Sequence, residues 1–330
     1  VYGRINMAVT WYNDQPSNIN DLGIASYGSR LGFKGSEDLG GGLKGIWQLE
    51  SSINPDEQNG ALTGRNSFLG LAGGFGTVLV GNHDTPLKLV GRKVDLFGDT
   101  IGDSRNVMGG GSDTRAKNVV AYITPNLSGF SGAIAFSTDL LGNQVGTTTN
   151  VAFSTAGDAE DQNVWNLNAA YENGPIYVGV GYGDGDGHEA IGAGAHWRVA
   201  GAFTMGDFKF VGQYDSLEDE NAVNPGGLAG DYDAWMIGAA FNMGAMTFKA
   251  NYMDGEVDGV NGAEPEMWNL GVDYAMSKRT NVYAMYTGGE DVTLGLGAGS
   301  SDQVCGTASC GQFVNSGDIS GLSFGVVHKF

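Results

Sequence analysis

The 330-residue chain contains 57 Gly and only 7 Pro, 41% of its residues are hydrophobic, and its net charge is −20. Glycine this abundant, without a collagen repeat, weighs against a helical protein, because each glycine inside a helix costs about 1 kcal/mol. The negative charge argues against a nucleic-acid partner, and no apolar run approaches the ~18 residues of a membrane helix. A β-protein can still span a bilayer, because its apolar residues alternate along each strand.

The first stretch, residues 1–11, alternates between apolar and polar side chains as a strand does. One face carries Ile5, Met7, Val9 and Trp11, and the other carries Arg4, Asn6 and Thr10. The same alternation recurs at 207–214, 247–255 and 267–275, where charged and amide side chains occupy the polar face. This pattern fits a barrel, and it equally fits a sandwich whose polar face lies in water.

The connections between strands alternate between tight and long. The tight ones lie at 38–43, 73–76, 126–131, 172–175, 205–208, 243–246 and 276–280. The longer polar ones lie near 13–23, 54–63, 84–114, 137–160, 183–189, 217–231, 256–264 and 288–318. Tight turns at one end and long loops at the other connect about 16 strands and favour a transmembrane barrel over a sandwich.

The last ten residues, GLSFGVVHKF, form an alternating strand that ends on Phe330. Termini usually fray into water, so an aromatic end within a strand needs a partner. A closed barrel supplies one, because the last strand pairs with the first and no edge remains. We therefore predict an all-β fold, a 16-stranded antiparallel transmembrane β-barrel that residues 1–330 form as a single domain.

Several segments resemble the general diffusion porins of Gram-negative outer membranes. They are VYGR (1–4), SRLGFKGSEDLGGGLKGIWQLE (29–50), RNSFLGLAGGFGTVLVG (65–81), PNLSGFSG (125–132) and the terminal FGVVHKF. The resemblance implies a homotrimer in the outer membrane, in contact with lipid and lipopolysaccharide, with the signal peptide already removed. It also implies a third loop, about 84–114, that folds into each lumen and constricts it.

Basic residues concentrate in the first 120 positions. Arg4, Arg30 and Lys34 share the polar parity of their strands, which predicts a basic wall on the lumen side, since charges facing lipid cost ~2–4 kcal/mol each. The resemblance implies arginine at two positions where this chain has Asn82 and Ala121. Further basic residues that could replace them at the constriction are Arg65, Arg115 and Lys117.

The segment 84–114 is too long for an ordinary loop and contains apolar residues that could pack on the inner wall. The resemblance makes it the constriction loop, with Asp95, Asp99 and Asp103 as its acidic face. An acidic loop opposite a basic wall would create a transverse field across the narrowest point.

Other motifs favour ordinary structural roles. The GxGxxG at 40–45 opens a strand rather than the helix that a dinucleotide site needs. The acidic stretch 183–189 lacks EF-hand spacing, so a surface loop is favoured, with weak divalent binding left open. None of His83, His188, His196 and His328 lies beside a GxSxG elbow. We therefore predict no enzyme activity, no cofactor and no metal site.

The two cysteines, Cys305 and Cys310, are separated by four residues and have no histidine nearby. This spacing favours a small loop disulfide in an oxidising compartment. The alternative is a pair of free thiols in a surface loop.

These observations predict a passive channel for ions and small hydrophilic solutes. The net charge and the two missing arginines predict a mild cation preference. One alternative is a substrate-specific channel with a saturable solute site. Another is an adhesin or structural barrel in which the pore is incidental.

Overall fold

The computed structural model describes residues 1–13, 22–56, 63–108, 113–139, 163–185, 194–218, 231–257, 264–292 and 318–330. The strands in these ranges are β1 Tyr2–Asn13, β2 Leu22–Ser26, β3 Arg30–Gly40, β4 Leu43–Ser52, β5 Ser67–Gly73, β6 Gly76–Asp84, β7 Arg115–Ile123, β8 Phe130–Asp139, β9 Val164–Asn173, β10 Ile176–Gly185, β11 Ala195–Met205, β12 Phe208–Glu218, β13 Tyr232–Met243, β14 Met246–Val257, β15 Glu266–Ala275, β16 Thr280–Glu290 and β17 Asp318–Lys329. Two short helices, α1 Pro86–Arg92 and α2 Arg105–Met108, lie between β6 and β7. Neither of these described helices is long and apolar enough to cross a membrane.

Two of the segments, β2 and β3, form one strand of the barrel. β2 pairs with β1 between Met7 and Trp11, and β3 pairs with β1 between Tyr2 and Arg4. Residues 27–29 interrupt the strand between these two halves. The 17 segments therefore make a closed antiparallel barrel of 16 strands, which confirms the predicted fold.

The first and last strands close the barrel. The ladder between β1 and β17 starts with Arg4 opposite Lys329. Beyond it, Gly3 N donates to Phe330 O at 2.9 Å and Phe330 N donates to Gly3 O at 3.1 Å. The chain end is thus hydrogen-bonded on both groups, and the predicted pairing of the last strand with the first is confirmed.

Alternation along the strands separates the two faces of the barrel. On β1, Val9 and Trp11 point outward, and the Trp11 ring meets Phe324 of β17 edge-on at 5.9 Å between ring centroids. Asn6 and Thr10 point inward and are fully buried. The apolar outward face and polar inward face follow from the period of two in the sequence.

Residues 85–108, which follow β6, fold back onto the inner wall. Thr85 caps α1 by accepting the Lys88 N–H at 3.3 Å, and Pro86 occupies the first turn. The helix packs against β9, β10 and β11. Gly181 of β10 makes this approach possible, since a Cβ there would lie 2.9 Å from the Leu87 Cα.

Apolar side chains hold this segment, hereafter the inner loop, in place. The fully buried ones are Leu87, Val90, Val94, Phe97, Ile101, Val107 and Met108. All of them except Leu87 join one cluster with inward-facing wall residues such as Met236, Met253 and Met267. The apolar residues that suggested packing on the wall therefore account for the loop's position, mainly through burial.

Candidate functional site

Charged residues meet where the inner loop touches the wall of β1 and β3. Asp99 of the loop pairs with Arg4 of β1, and its carboxylate lies 3.7 Å from Arg30 of β3. Two loop arginines approach the same carboxylate, Arg92 at 3.2 Å and Arg105 at 3.9 Å. One aspartate is thus shared by four guanidinium groups.

The interruption at 27–29 makes the dock for Asp99. Gly28 adopts φ +62°, and its Cα faces the Asp99 carboxylate so closely that a Cβ would lie 2.9 Å from Asp99 Cγ. The buried Asn6 side chain donates to the carbonyl oxygens of both Tyr27 at 3.0 Å and Asp99 at 2.7 Å. A break in one barrel strand therefore receives the tip of the loop.

Two further aspartates lie beneath this contact. Asp95 accepts hydrogen bonds from Phe97 N at 2.9 Å and from Arg92 Nη1 at 3.1 Å. Asp103 accepts from Asp99 N at 2.7 Å, from Arg92 at 3.1 Å and from Arg105 Nε at 2.9 Å. Arg92 thereby links all three carboxylates. We call the seven residues Arg4, Arg30, Arg92, Arg105, Asp95, Asp99 and Asp103 the loop–wall cluster.

Exposure differs sharply between acids and bases in this cluster. The side chains of Arg30 and Arg92 are each 27% exposed, whereas Asp99 is 13%, Asp95 1% and Asp103 0% exposed. The sequence analysis predicted that these three aspartates form the acidic face of the loop. In the structure they do not form an open acidic face. They lie under the arginines, because each carboxylate is bound by loop guanidinium and N–H groups. The water-accessible charge at this contact is mainly guanidinium.

Burial acts to raise the pKa of each of the three carboxyl groups, whereas the nearby arginines act to lower it. Burial raises the pKa of Asp95 to about 6, with the nearby Asp103 adding to the shift and Arg92 opposing it. Burial also acts to raise the pKa of Asp103, but Arg105 and Arg92 outweigh it and hold that pKa well below its usual range. At Asp99, Arg92, Arg4 and Arg30 likewise overcome burial and lower the pKa.

A second anchor, missed by the sequence analysis, holds the end of the inner loop. Arg198 of β11 has a fully buried side chain that pairs with Asp215 of β12 and lies 2.6 Å from Asp113. It also donates to the Met108 carbonyl at 2.7 Å. The signal was available, since Arg198 alternates with the outward-facing Trp197 in the same way that Arg4 alternates with Ile5. The alternation along the strand does not show that Asp113 of the loop is its partner.

The other predicted basic residues lie outside the loop–wall cluster. Lys34 Nζ lies 5.0 Å from the centroid of the Tyr2 ring. Arg65 pairs with Glu50 at 2.5 Å, and the same carboxylate accepts from Tyr2 Oη at 2.7 Å. These residues belong to the wall of β1, β3 and β4, beside the contact of Arg4 and Arg30.

Arg115 and Lys117 lie near the start of β7. Arg115 pairs with Asp84 at 2.9 Å, where the inner loop leaves and rejoins the wall, and Lys88 of α1 also reaches Asp84 at 3.3 Å. Lys117 is exposed at the irregular stretch around Asn118. Both thus lie at the roots of the loop rather than at its tip.

Asn82 and Ala121, where the resemblance led us to expect arginine, lie on β6 and β7. Ala121 is buried opposite Leu79 of β6 and Ala135 of β8, within one apolar cluster. Asn82 pairs with Ser67 across β5 and β6. Neither position therefore carries a charge itself, and the nearest basic side chain of β7 that is paired with β6 is Arg115, bound to Asp84.

Several candidate residues fall outside the described ranges. Cys305 and Cys310 do so, and their disulfide stays a prediction. Of the acidic stretch 183–189, Asp184 is described and accepts a hydrogen bond from Tyr182 Oη at 2.7 Å. Within the described ranges, no group of three or more His, Cys, Asp or Glu side chains is arranged to hold a metal ion.

Comparisons with known proteins agree on one family. A family model for Gram-negative porins matches residues 1–294. Outer membrane porin protein 32 of Delftia acidovorans is 27% identical over an alignment that spans 100% of this chain and 93% of that protein. Major outer membrane protein P.IB of Neisseria gonorrhoeae is 39% identical, but the match spans only 34% of this chain and 33% of that relative's length.

Solved structures give the same fold. The anion-selective porin from Comamonas acidovorans aligns with a TM-score of 0.77 at 26% identity, over 100% of this chain and 98% of that one. OmpT of Vibrio cholerae, in a trimer form, aligns with a TM-score of 0.69 at 21% identity, over 100% of this chain and 98% of that one. At that identity the second likeness bears on the fold alone.

Proposed function

Because the chain belongs to the Gram-negative porin family, we propose that it is a passive, water-filled channel for ions and small hydrophilic solutes. Its place is the outer membrane of a Gram-negative bacterium. The inward faces of the barrel carry exposed charged side chains such as Lys34 and Glu172, which supports a lumen filled with water. The proposal needs only diffusion along this lumen, and no chemical step.

We further propose that the loop–wall cluster gives the channel a mild preference for anions. The mild cation preference expected from the net charge is not supported, since the relative from Comamonas acidovorans is itself an anion-selective porin. One observation carries the revised proposal: Arg30 and Arg92 are the most exposed charges of the cluster, while Asp95 and Asp103 are buried. An anion passing the loop therefore meets guanidinium groups first.

A protein of net charge −20 can still favour anions, because an ion in the lumen responds mainly to the charges nearest its path. Charges farther than a Debye length of ~8–10 Å from an ion's path are screened at physiological salt. Guanidinium groups at the loop act at contact distance and keep their effect.

A bilayer recording in a KCl gradient tests the proposal. The reversal potential of the wild type should indicate chloride over potassium. The double variant Arg30→Gln with Arg92→Gln should lower the anion-to-cation permeability ratio about fivefold, since one unit charge at ~4 Å acts with about 1 kcal/mol in water. Arg279→Gln removes a charge from an exposed tight turn and should leave the ratio unchanged. A wild-type channel that is plainly cation-selective at low salt would overturn the proposed preference.

We also propose that the chain assembles as a homotrimer. The outward face of β5 and β6 carries exposed, medium-sized apolar side chains, Leu69, Leu71, Val78 and Val80. Such a face suits contact with a second copy as well as with lipid. The mass of the protein in a mild detergent is the test, and a species of monomer mass would contradict assembly.

A further inference from the structure

A second group of charges lies in the lumen, away from the loop–wall cluster. Lys93, which follows α1, pairs with Glu172 of β9 at 2.7 Å. Lys209 of β12 donates its ammonium to the Lys93 carbonyl at 3.4 Å, and the charges of both Lys93 and Glu172 act on it. This cluster of two ammonium groups and one carboxylate has a net charge of +1, and the carboxylate forms its ion pair with Lys93.

The position of these residues along the barrel is well defined. Glu172 lies one residue before the end of β9, and Lys209 is the second residue of β12, so both adjoin tight turns. The Tyr177 ring of β10 lies beneath Lys93, with its centroid 5.8 Å from the ammonium. We call Lys93, Glu172 and Lys209 the turn-end cluster.

Two of the three side chains of the turn-end cluster are open to water, while that of Lys209 is half-buried. The side chain of Lys93 is 52% exposed and that of Glu172 is 57% exposed, in contrast to the buried aspartates of the loop–wall cluster. Lysine is a compact point charge with three donors on a flexible stem, so both ammonium groups can turn toward a ligand. Glu172 is held by a single exposed ion pair, which is worth less than about 1 kcal/mol and is easily exchanged.

From this geometry we propose that the turn-end cluster binds a small divalent oxyanion, such as sulfate or a dicarboxylate. The anion takes the place of the Glu172 carboxylate between Lys93 and Lys209, and its two negative charges match the two ammonium groups. This inference rests on the proposed channel function. It adds a saturable anion site at the tight-turn end of the lumen. A solute that enters from the opposite end passes the inner loop before it reaches this site.

Block of the chloride current by sulfate tests the site. Sulfate is added at constant ionic strength to the tight-turn side of oriented wild-type channels, and the chloride current is expected to fall along a saturation curve. Sulfate from the other side must first pass the inner loop, so its block should be weaker at the same concentration. Block that does not saturate, or that is equal from both sides, would overturn the proposal.

Two variants should act in opposite directions. Lys93→Gln with Lys209→Gln should abolish the saturable block, whereas Glu172→Gln should strengthen sulfate binding about fivefold by removing a competing charge. Lys44→Gln is the matched control, because Lys44 is an exposed lysine beside the tight turn between β3 and β4, and β4 does not neighbour β9 or β12 in the barrel. The site is refuted if the double variant is blocked as the wild type is, or if Glu172→Gln weakens the block.

The same recordings separate this inference from the proposed function. If the wild type conducts with the selectivity proposed above and sulfate block is independent of Lys93 and Lys209, only the turn-end site is wrong. If the wild type does not conduct at all, the channel function is wrong, and the site fails with it.

Discussion

Arg4 and Arg30 lie directly opposite each other on neighbouring barrel strands. Like charges in this cross-strand position repel and destabilise the pair. Asp99 of the inner loop supplies the shared counter-charge, paired with Arg4 and 3.7 Å from Arg30. The wall therefore needs the loop to neutralise it, and the loop needs the wall to bind its carboxylate.

Asp99→Asn should release the tip of the loop. The substitution removes the charge that Arg4 and Arg30 share and leaves them facing each other, at a cost of about 3 kcal/mol in loop docking. We expect larger current fluctuations in single-channel recordings and a stronger anion preference, because one negative charge is lost. Adding Arg30→Gln to Asp99→Asn should partly reduce the current fluctuations, since the repulsion between Arg4 and Arg30 is then removed. Equal noise in wild type and Asp99→Asn would contradict the role of Asp99.

Gly28→Ala should weaken the same contact from the wall side. An alanine at φ +62° is strained by about 1–2 kcal/mol, and its Cβ would lie 2.9 Å from Asp99 Cγ. Gly41→Ala is a matched control, because Gly41 has φ +61° and a Cβ added there would meet no atom within 4 Å. Thermal unfolding should show both variants destabilised, and Gly28→Ala more so. Identical losses would mean that Gly28 matters only for its backbone.

Much of the fold could be predicted from the sequence, because the period-two alternation of a strand is a local property of the chain. It placed Ile5 outward and Arg4 inward, and tight turns of mixed Gly and polar residues set the strand number. The resemblance placed the inner loop. The interruption between β2 and β3 at residues 27–29 could not be predicted from the sequence, since the stretch SYGSR contains only one glycine. Where Asp99 docks depends on that break.

The charges of the site were harder to place than the strands. Asp95 and Asp103 looked like an exposed acidic face, because sequence spacing does not tell which carboxylates fold under Arg92 and Arg105. Likewise, the contact between Arg198 and Asp113 joins residues 85 positions apart. Such contacts arise from the path of the loop across the lumen and carry no local signature.

Arg198→Leu should destabilise the end of the inner loop and the wall beneath it. The side chain is fully buried, and its loss would leave the carboxylates of Asp215 and Asp113 without their guanidinium. Removing one partner of a buried ion pair costs about 3–5 kcal/mol. We expect a lower midpoint of thermal unfolding, with partial recovery when Asp215→Asn is added. Unchanged stability of the single variant would show that the anchor carries no net energy.

Asp95 should make the channel respond to pH near 6. Burial raises the pKa of this carboxyl to about 6 from the usual 3.8, so the docked loop holds a proton that a released loop would lose. Loop docking should therefore weaken as pH rises from about 4 through 6, because more protons are bound in the docked state. Asp99 and Asp103 have lowered pKa values, so their contributions are lost only at more acidic pH.

The same protonation should change ion selectivity. With Asp95 charged, the four arginines of the loop–wall cluster face three carboxylates, and with Asp95 protonated they face two. The anion-to-cation permeability ratio should thus rise as pH falls from 7.5 to 5, with a midpoint near 6. In Asp95→Asn the permeability ratio should stay high from pH 7.5 to pH 5. Asp38→Asn, which removes a carboxylate at an exposed tight turn, should show the same pH dependence of the ratio as the wild type. If Asp95→Asn retains the full pH dependence, the responsive group lies elsewhere in the protein.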